Sequence, residues 1–217
     1  MVGRRGSGAA PYGAPGRPGM GPGTRASTAA WRDNLLTSSQ AAEALAKAAR
    51  RVAVLGIKPE SRAEQPAHHV PKYLQEQGVA IVPVPTYVRD TSRHGISLAF
   101  TAPGAPDGPS LPHRFQYPDV TEILGVPVER DLGRLNGREI DILNVFRKPA
   151  DVGGHVEDIL RLKPKAVWLQ LGIRAPEAEE RFARAGIQVV ANRCLLIDHQ
   201  NAVGHAEPGF DVVAPKM

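Results

Sequence analysis

The chain has 217 residues, 42% of them hydrophobic and 23% charged, which is enough for one domain of about 150 residues and a tail but too little for two full domains. The formal net charge of +5 does not indicate a nucleic-acid surface, because five arginines precede the first acidic residue, Asp33, and the charged residues that remain comprise 22 basic and 22 acidic side chains. The single cysteine, Cys194, excludes an intramolecular disulfide and a cysteine-rich zinc site, and it fits a reducing compartment. No apolar run approaches the roughly 18 residues that cross a bilayer, so no membrane segment is predicted.

The N-terminal region differs in composition from the rest of the chain. Residues 1–24 hold eight glycines and four prolines and almost no branched apolar or aromatic side chains. Such a composition cannot bury a core, so it predicts a disordered extension over residues 1–32. Its arginines and lack of acids are shared with organelle transit peptides, but glycine and proline at this density oppose an amphipathic helix. We expect a cytoplasmic protein, with an organelle matrix as the alternative if the extension is a transit peptide.

From residue 37 onward, short apolar runs alternate with helical patterns. An alanine-rich helix is predicted over 37–49, where the Ser38-Ser39 pair can cap the first turn. Five buried strands follow, predicted at 51–56, 79–84, 140–146, 166–171 and 187–190. The helices between them are predicted at 66–77, 154–162 and 176–185. This order indicates an α/β fold with a Rossmann-like, doubly wound parallel sheet of about five strands and helices on both faces.

One segment, at about residues 89–118, interrupts this alternation. It holds five prolines and little periodicity, and a structureless loop of this length is unusual inside a compact domain. The segment leaves from the carboxyl end of the second strand, so a loop that covers a ligand and an inert insertion both remain open. The stretch 120–135, with a turn capped at Asp131, is predicted to return the chain to the sheet through a short helix.

The turn after the first strand is the first candidate site, because parallel sheets bind ligands beyond the carboxyl ends of their strands. Gly56 permits a close backbone approach there, and Lys58, Ser61 and Arg62 lie near a helix N-terminus, which suits a phosphate or pyrophosphate. The turn lacks the G-x-G-x-x-G spacing of dinucleotide enzymes, and no acidic residue follows the second strand to hold a ribose hydroxyl. An NAD site is therefore not predicted, and a plain turn is the alternative.

Five blocks in order along the chain resemble a known family. They are Val52-Ala53-Val54-Leu55-Gly56, the stretch from Pro66 to Leu74 with Gly78, Asn144-Val145-Phe146-Arg147, the stretch from Val167 to Ile173, and Asn192-Arg193-Cys194. Over residues 37–88 and 119–200 the chain resembles the small stand-alone CoA-binding proteins, which are similar to the N-terminal CoA-binding domain of the succinyl-CoA synthetase alpha subunit.

The resemblance implies a CoA-binding Rossmann-like domain over 33–200, with the insertion at 89–118 and a C-terminal tail at 201–217. It implies that the first-strand turn faces the CoA phosphates, that the adenine end lies over the ends of the second and third strands, and that the pantetheine arm runs toward the fourth. The cofactor is then coenzyme A or an acyl-CoA. The implied contact residues are Gly56, Lys58, Ser61, Arg62, Pro85, Thr86, Val145, Phe146, Arg147, Lys148, Gln170, Gly172, Asn192, Arg193 and Cys194. The basic members of this set match the negative charge of CoA, although Arg147 and Lys148 could equally be solvated loop charges.

The sequence departs from the family after the second strand. Where the family often has Val-Asn-Pro and then a basic residue, this chain has Val84-Pro85-Thr86-Tyr87. This departure puts recognition of the CoA 3′-phosphate in question. Arg89 and Arg93 could replace the lost charge, or the insertion could select a different ligand, and both interpretations stay open.

No catalytic or metal-binding residue is predicted. We do not expect the ligase reaction of this chain alone, because 201–217 holds neither a phosphohistidine domain nor a nucleotide-grasping subunit. His68, His69 and His155 lack a carboxylate at partner spacing, and we expect them to cap helices or lie at the surface. Cys194 is either a small buried residue or a thiolate favoured by Arg193.

Three functions follow. The first is a non-catalytic CoA or acyl-CoA binding or regulatory protein, the second is a CoA-dependent enzyme that uses Cys194 or a histidine, and the third is a Rossmann-like interaction module without a ligand. The apolar helix faces and the usual behaviour of the family are compatible with a homodimer, and no protein partner is identified.

Overall fold

The computed structural model describes residue 3 and residues 30–89, 113–115 and 117–204. The sequence predictions for most of the N-terminal extension, for most of the insertion and for residues 205–217 lie outside these described residues. The side chains of 87–89 and 113–115 lie outside the description as well.

The elements follow the predicted alternation of strands and helices. The α-helices are α1 (Ser39–Ala48), α2 (Pro66–Glu76), α3 (Pro149–Val152), α4 (Val156–Leu162), α5 (Pro176–Arg184) and α6 (Leu195–Gly204). The strands are β1 (Arg51–Ile57), β2 (Ala80–Pro85), β3 (Tyr87–Arg89), β4 (His113–Phe115), β5 (Glu122–Ile123), β6 (Val126–Pro127), β7 (Ile142–Val145), β8 (Ala166–Leu169) and β9 (Gln188–Ala191). Short 3₁₀ helices lie at Ala30–Asn34, Glu60–Arg62, Leu132–Leu135 and Gly153–His155.

The central sheet has five parallel strands in the order β2-β1-β7-β8-β9. This arrangement confirms the predicted fold class of a doubly wound α/β sheet. The chain moves outward from β1 to β2, and then returns to the other side of β1 as β7. The strand order therefore reverses between β1 and β7, which is where open α/β sheets form their ligand crevice. The two antiparallel pairs, β3–β4 and β5–β6, were not predicted.

The core lies on both faces of this sheet, because successive strand residues point to opposite faces. On one face Leu55, Leu143 and Leu169 pack with side chains of α4 and α5, including Phe182. On the other face the strands pack against α1, α2 and α6, around Trp168. Burial on both faces explains why the strands read as continuous apolar runs in the sequence.

The segment before α1 covers the outer edge of β9. Leu35 forms a parallel bridge with Val189, and the N–H of Leu36 donates to the carbonyl of Val189 at 2.8 Å. Asn34 Nδ2 donates to the carbonyl of Ala183 in α5 at 2.8 Å. An edge strand with open N–H and C=O groups invites pairing with other chains, so this segment protects the sheet edge. The helix that follows begins as predicted, since the Ser38 hydroxyl accepts from the N–H of Ala41.

Asp141 links the amino-terminal ends of β1, β7 and β8, at the end of the sheet opposite the crevice. Its Oδ2 accepts from the backbone N–H groups of Arg50 and Arg51, at 2.9 and 2.8 Å, and its Oδ1 accepts from Lys165 Nζ at 2.7 Å. Burial pushes the pKa of Asp141 upward, but the hydrogen bonds from Lys165, Arg50 and Arg51 outweigh it, so the pKa lies below its ordinary value of 3.8.

Replacing Asp141 with Asn is therefore expected to destabilise the fold in a pH-dependent manner. A lowered folded-state pKa means that the ionised carboxylate stabilises the protein above pH 3.8, and that this contribution disappears as pH falls through the folded-state value. We expect D141N to lose about 1–2 kcal/mol near pH 7 and to approach the wild type near pH 2, measured by urea denaturation. The matched control is E157Q, because Glu157 is 66% exposed in a surface pair with Arg181. An equal loss for D141N at both pH values would contradict this account.

Candidate functional site at the carboxyl ends of the strands

Gly56 permits the closest approach between β1 and the end of β7. Its φ is +91°, in the region that favours glycine, and its position interrupts the register of β1 with β2. A Cβ built at Gly56 would overlap the carbonyl oxygen of Phe146. On the same two strands, the N–H of Phe146 donates to the carbonyl of Leu55 at 2.8 Å. The glycine is thus required by the fold at the point where the strand order reverses.

Three basic side chains from the loops after β1 and β7 lie close enough to influence one another electrostatically. Burial lowers the pKa of Lys58 below its ordinary value of 10.5, and the positive charges of Arg147 and Arg62 lower it further. Lys58 Nζ lies 5.3 Å from the centre of the Tyr117 ring, within the range of a cation–π contact. Arg147 and Arg62 reach this point from different loops, one after β7 and one after β1. We call Lys58, Arg62 and Arg147 the cation cluster.

Arg147 is the more buried of the two arginines in this cluster. Its side chain is 13% exposed, and Nη2 lies 3.2 Å from Asp151 Oδ2. Its Nε is buried and has no hydrogen-bond partner among the described residues. A buried donor without an acceptor costs free energy, so this guanidinium retains unused capacity for an anion. The next residue, Lys148, is exposed.

The loop that carries Lys58 is held from beneath by α2. His68 is 3% exposed, and its Nδ1 lies 2.9 Å from the carbonyl oxygen of Lys58. Glu60 Oε1 accepts from the N–H of Leu124, which attaches the loop to the β5–β6 hairpin. His69 lies at the surface as expected, but His68 and His155 are buried, and neither α2 nor α4 has a side-chain cap hydrogen bond. Ser61 of the same loop is exposed.

A pair of buried amides lies at the ends of β7 and β8. Asn144 is fully buried, Gln170 is 4% exposed, and Gln170 Nε2 donates to Asn144 Oδ1 at 2.9 Å. Asn144 Nδ2 has no hydrogen-bond partner among the described residues. Asn144 was not included in the predicted set of contacts. The signal that could have found it is a polar residue inside an otherwise apolar strand.

The loops after β8 and β9 are joined by a side chain. Asn192, at a φ of +58°, accepts through Oδ1 from the N–H of Gly172 at 2.8 Å. Gly172 itself has a φ of +82°, which forms a tight turn after β8. Leu171, the residue before it, is 68% exposed at this edge.

Arg193 and Cys194 have partners within the protein. The guanidinium of Arg193 makes two hydrogen bonds with the buried carboxylate of Asp198, and a third to the Ser39 hydroxyl at 3.1 Å. The hydrogen bond with Asp198 raises the pKa of Arg193. The carbonyl of Arg193 accepts from Trp168 Nε1 at 2.9 Å. Cys194 is half-buried against the apolar core on the α1, α2 and α6 face.

The remaining predicted residues lie on β2 and β7. Pro85 is buried and pairs with Ile57, and Thr86 is half-buried just beyond the strand. The Val145 side chain lies in the core, whereas Phe146 is half-buried at the strand end. The structure therefore brings Gly56, the cation cluster and Phe146 together at one junction. Gln170, Gly172 and Asn192 lie at the same end of the sheet, in the loops after β8 and β9.

His199, next to Asp198, is buried and contacts a side chain of α2. It is 5% exposed, and its Nδ1 lies 3.0 Å from the hydroxyl of Tyr73 on α2. Burial lowers the pKa of His199 and raises that of Tyr73.

Across the described residues, no group of three His, Cys, Asp or Glu side chains is arranged to hold a metal ion. None of the helices described is long and apolar enough to cross a membrane.

Comparison with known proteins identifies relatives of this chain. A family model described as a CoA binding domain matches residues 116–200, a range that includes β7 to β9 and the loops after them. The uncharacterized protein YneT of Bacillus subtilis (strain 168) is 26% identical over 150 residues, which cover 69% of this chain and 85% of YneT.

Two solved structures also match this chain. The structure of cell-free ID.343 from Thermus thermophilus is 33% identical, covers 76% of this chain and 99% of its own, and superposes with a TM-score of 0.55. A hypothetical protein from Pyrococcus horikoshii OT3 shares the fold, with 22% identity, 77% and 94% coverage and a TM-score of 0.56. The chain belongs to the CoA-binding domain family, which confirms the resemblance found in the sequence.

Gly56 provides a test of the β1–β7 junction. We expect Gly56→Ala to destabilise the protein by about 3–4 kcal/mol, because the methyl group adds overlap with Phe146 to the cost of a positive φ. The matched control is Gly78→Ala, since Gly78 has a φ of +83° and open space around its Cβ position. The control should lose only about 1–2 kcal/mol in urea denaturation. Equal losses for the two variants would show that the junction tolerates a side chain.

Proposed function

We propose that this protein binds coenzyme A or an acyl-CoA across the β1–β7 junction, as a non-catalytic binding protein. The observation that carries the proposal is the cation cluster at the strand-order reversal of a CoA-binding domain. Burial is the main cause of the lowered pKa of Lys58, and repulsion from the positive charges of Arg147 and Arg62 adds to it. A bound anion would relieve this repulsion.

The charge of CoA fits this cluster. CoA carries a diphosphate and a ribose 3′-phosphate, and arginine binds phosphate oxygens through paired N–H donors. Arg147 retains a buried Nε without a partner among the described residues, and Arg62 and Lys58 approach from the opposite loop. The diphosphate is the group we assign to this position, because it joins the adenosine to the pantetheine arm, so that these two ends can extend to either side of the junction.

The loops after β8 and β9 support an orientation for the rest of the ligand. Pantetheine contains two amides and no charge, so it suits a surface of amides better than a surface of cations. Gly172 and Asn192 are exposed in these loops and are joined by the hydrogen bond from the Gly172 N–H to Asn192 Oδ1. We therefore orient CoA with its diphosphate at the junction and its pantetheine arm toward Gln170 and Gly172.

The engaged histidines favour binding over catalysis. His68 contacts the Lys58 carbonyl, and His199 contacts Tyr73, so each ring has a structural hydrogen bond. Arg193 is paired with Asp198, which leaves Cys194 beside a neutralised charge. These contacts weigh against an acid–base pair or an activated thiol at this edge. Incubation with acetyl-CoA tests this. An enzyme that cleaves the thioester would release the free thiol of CoA, whereas a binding protein releases none.

Arg147→Gln is the variant that tests the phosphate assignment. We expect CoA affinity to fall by about 1–3 kcal/mol, because a charge-assisted contact to phosphate is lost. Isothermal titration at fixed salt measures this change, and the comparison ligands are dephospho-CoA and NAD. The matched control is Arg181→Gln, which removes a half-exposed arginine from a surface pair on α5.

The outcomes separate the hypotheses. Loss of affinity in R147Q but not in R181Q supports the site. Equal affinity for CoA and dephospho-CoA would show that the 3′-phosphate is not recognised, in line with Pro85 and Tyr87 at the positions where the family often has an asparagine and a basic residue. Wild-type protein that binds none of the three ligands would favour an interaction module instead.

A further inference from the structure

An aromatic ring borders the cation cluster. Tyr117 is half-buried, and the centre of its ring lies 5.3 Å from Lys58 Nζ. Tyr117 comes soon after β4, which pairs with β3, and β3 follows the carboxyl end of β2. The loop that carries Gly172 lies on the other side of β1, because β8 and β2 stand on opposite sides of that strand in the sheet. Tyr117 was not in the predicted set of contacts.

The backbone beneath this ring is held in place by one side chain. The guanidinium of Arg130 donates to the carbonyls of Tyr117 and Pro118 at 3.1 Å each, and to the carbonyl of Val120 at 2.8 Å. The neighbouring N–H of Glu129 donates to the carbonyl of Pro83 in β2 at 2.8 Å, which attaches this segment to the sheet. A contact surface that is fixed before a ligand arrives loses little conformational freedom on binding.

Other aromatic rings near this end of the sheet contribute to the core. Phe146 and Tyr73 pack against the core on the α1, α2 and α6 face. The hydroxyl of Tyr73 also lies 3.0 Å from His199 Nδ1. Tyr117, in contrast, belongs to neither of the two core clusters that the described residues form. Its ring lies beside the cation cluster and is not part of the core.

The orientation of the ligand gives this ring a partner. With the diphosphate of CoA at the β1–β7 junction and its pantetheine arm toward Gly172, the adenosine extends to the opposite side, toward β2. A phosphate paired with Lys58 lies beside the Tyr117 ring, and a single ribose separates that phosphate from the base. We propose that Tyr117 is the surface on which the adenine base stacks. The inference rests on the proposed function.

The contact between Lys58 and Tyr117 is compatible with this role. A cation–π contact is weaker than a charge-assisted hydrogen bond to phosphate, so a bound diphosphate draws the Lys58 ammonium toward itself. The planar base then replaces the ammonium against the ring. Removal of the ring releases Lys58 without removing its charge, so it leaves the phosphate contact intact. Stacking by Tyr117 can therefore be measured separately from any effect of its ring on Lys58.

Tyr117→Leu tests the stacking, by isothermal titration of the full chain at fixed salt with CoA, ADP and phosphopantetheine. ADP contains the base and the diphosphate but no pantetheine arm, whereas phosphopantetheine contains the arm and one phosphate but no base. Aromatic stacking on a base is a large contribution, so Y117L should weaken CoA and ADP about five- to hundredfold. The affinity for phosphopantetheine should stay unchanged. The matched control is Tyr117→Phe, which keeps the ring and should bind all three ligands like the wild type.

Two results of this titration would overturn the inference. Equal losses for the three ligands in Y117L would show that the ring acts through Lys58, and no loss for CoA and ADP would show that the base binds elsewhere. Urea denaturation checks that Y117L is folded, and Tyr117→Thr replaces it should it fail to fold.

A second measurement reads the stacking directly. Stacking lowers the ultraviolet absorbance of adenine, so wild-type protein and Y117F saturated with CoA should absorb less in the adenine band than protein and ligand measured apart. Saturated Y117L should show no such loss. An absorbance that is unchanged in the wild type, or lowered equally in Y117L, would contradict the assignment.

The two proposals fail in different ways. Wild-type protein that binds neither CoA nor ADP overturns the proposed function, and the stacking assignment with it. Binding of CoA with the same affinity by the wild type and by Y117L overturns the stacking assignment alone.

Discussion

The junction of β1 and β7 is the contact on which the site depends. Gly56 lacks a side chain at the one position where a Cβ would overlap the carbonyl of Phe146, and this absence lets the two strand ends meet. From that point the chain turns toward α2 after β1 and toward α3 after β7, on opposite faces of the sheet. The reversal opens a crevice between the two loops, and it places Lys58 and Arg147 on either side of it.

Repulsion within the cation cluster works against the fold. Burial and two neighbouring arginines disfavour the charged form of Lys58, yet the surrounding contacts hold the loops where they are. His68 supports the carbonyl of Lys58, and Asp151 holds one nitrogen of Arg147. Sites of this kind trade stability for preorganisation, because the positive charges are already in position when a ligand arrives. Asp141 illustrates the opposite arrangement. Its charge is paired at the amino-terminal ends of the strands, where it stabilises the fold.

The fold could be predicted from sequence because its signals are local. Apolar runs mark the five strands, Ser38 marks the start of α1, and Gly78 marks the end of α2. The site was predicted less completely, because its contacts join residues far apart in the chain. Asn144 meets Gln170 across 26 residues, and neither pattern nor propensity reveals that pairing. Arg193 looked available for a ligand, but Asp198, five residues later, neutralises it once α6 forms. The burial of His68 depends likewise on the path of the loop above it.

The β2 side of the crevice bears on which part of the ligand determines affinity. Pro85 and Thr86 contribute no charge there, and Arg130 on the nearby segment is held by the carbonyls of Tyr117, Pro118 and Val120. Among the described side chains, positive charge is therefore concentrated at the β1–β7 junction rather than at the end of β2. A diphosphate at that junction is common to many nucleotides, so it gives affinity with little selectivity. In the proposed complex, selectivity must then come from the loops after β8 and β9, around Gly172 and Asn192, which would contact the pantetheine arm that other nucleotides lack.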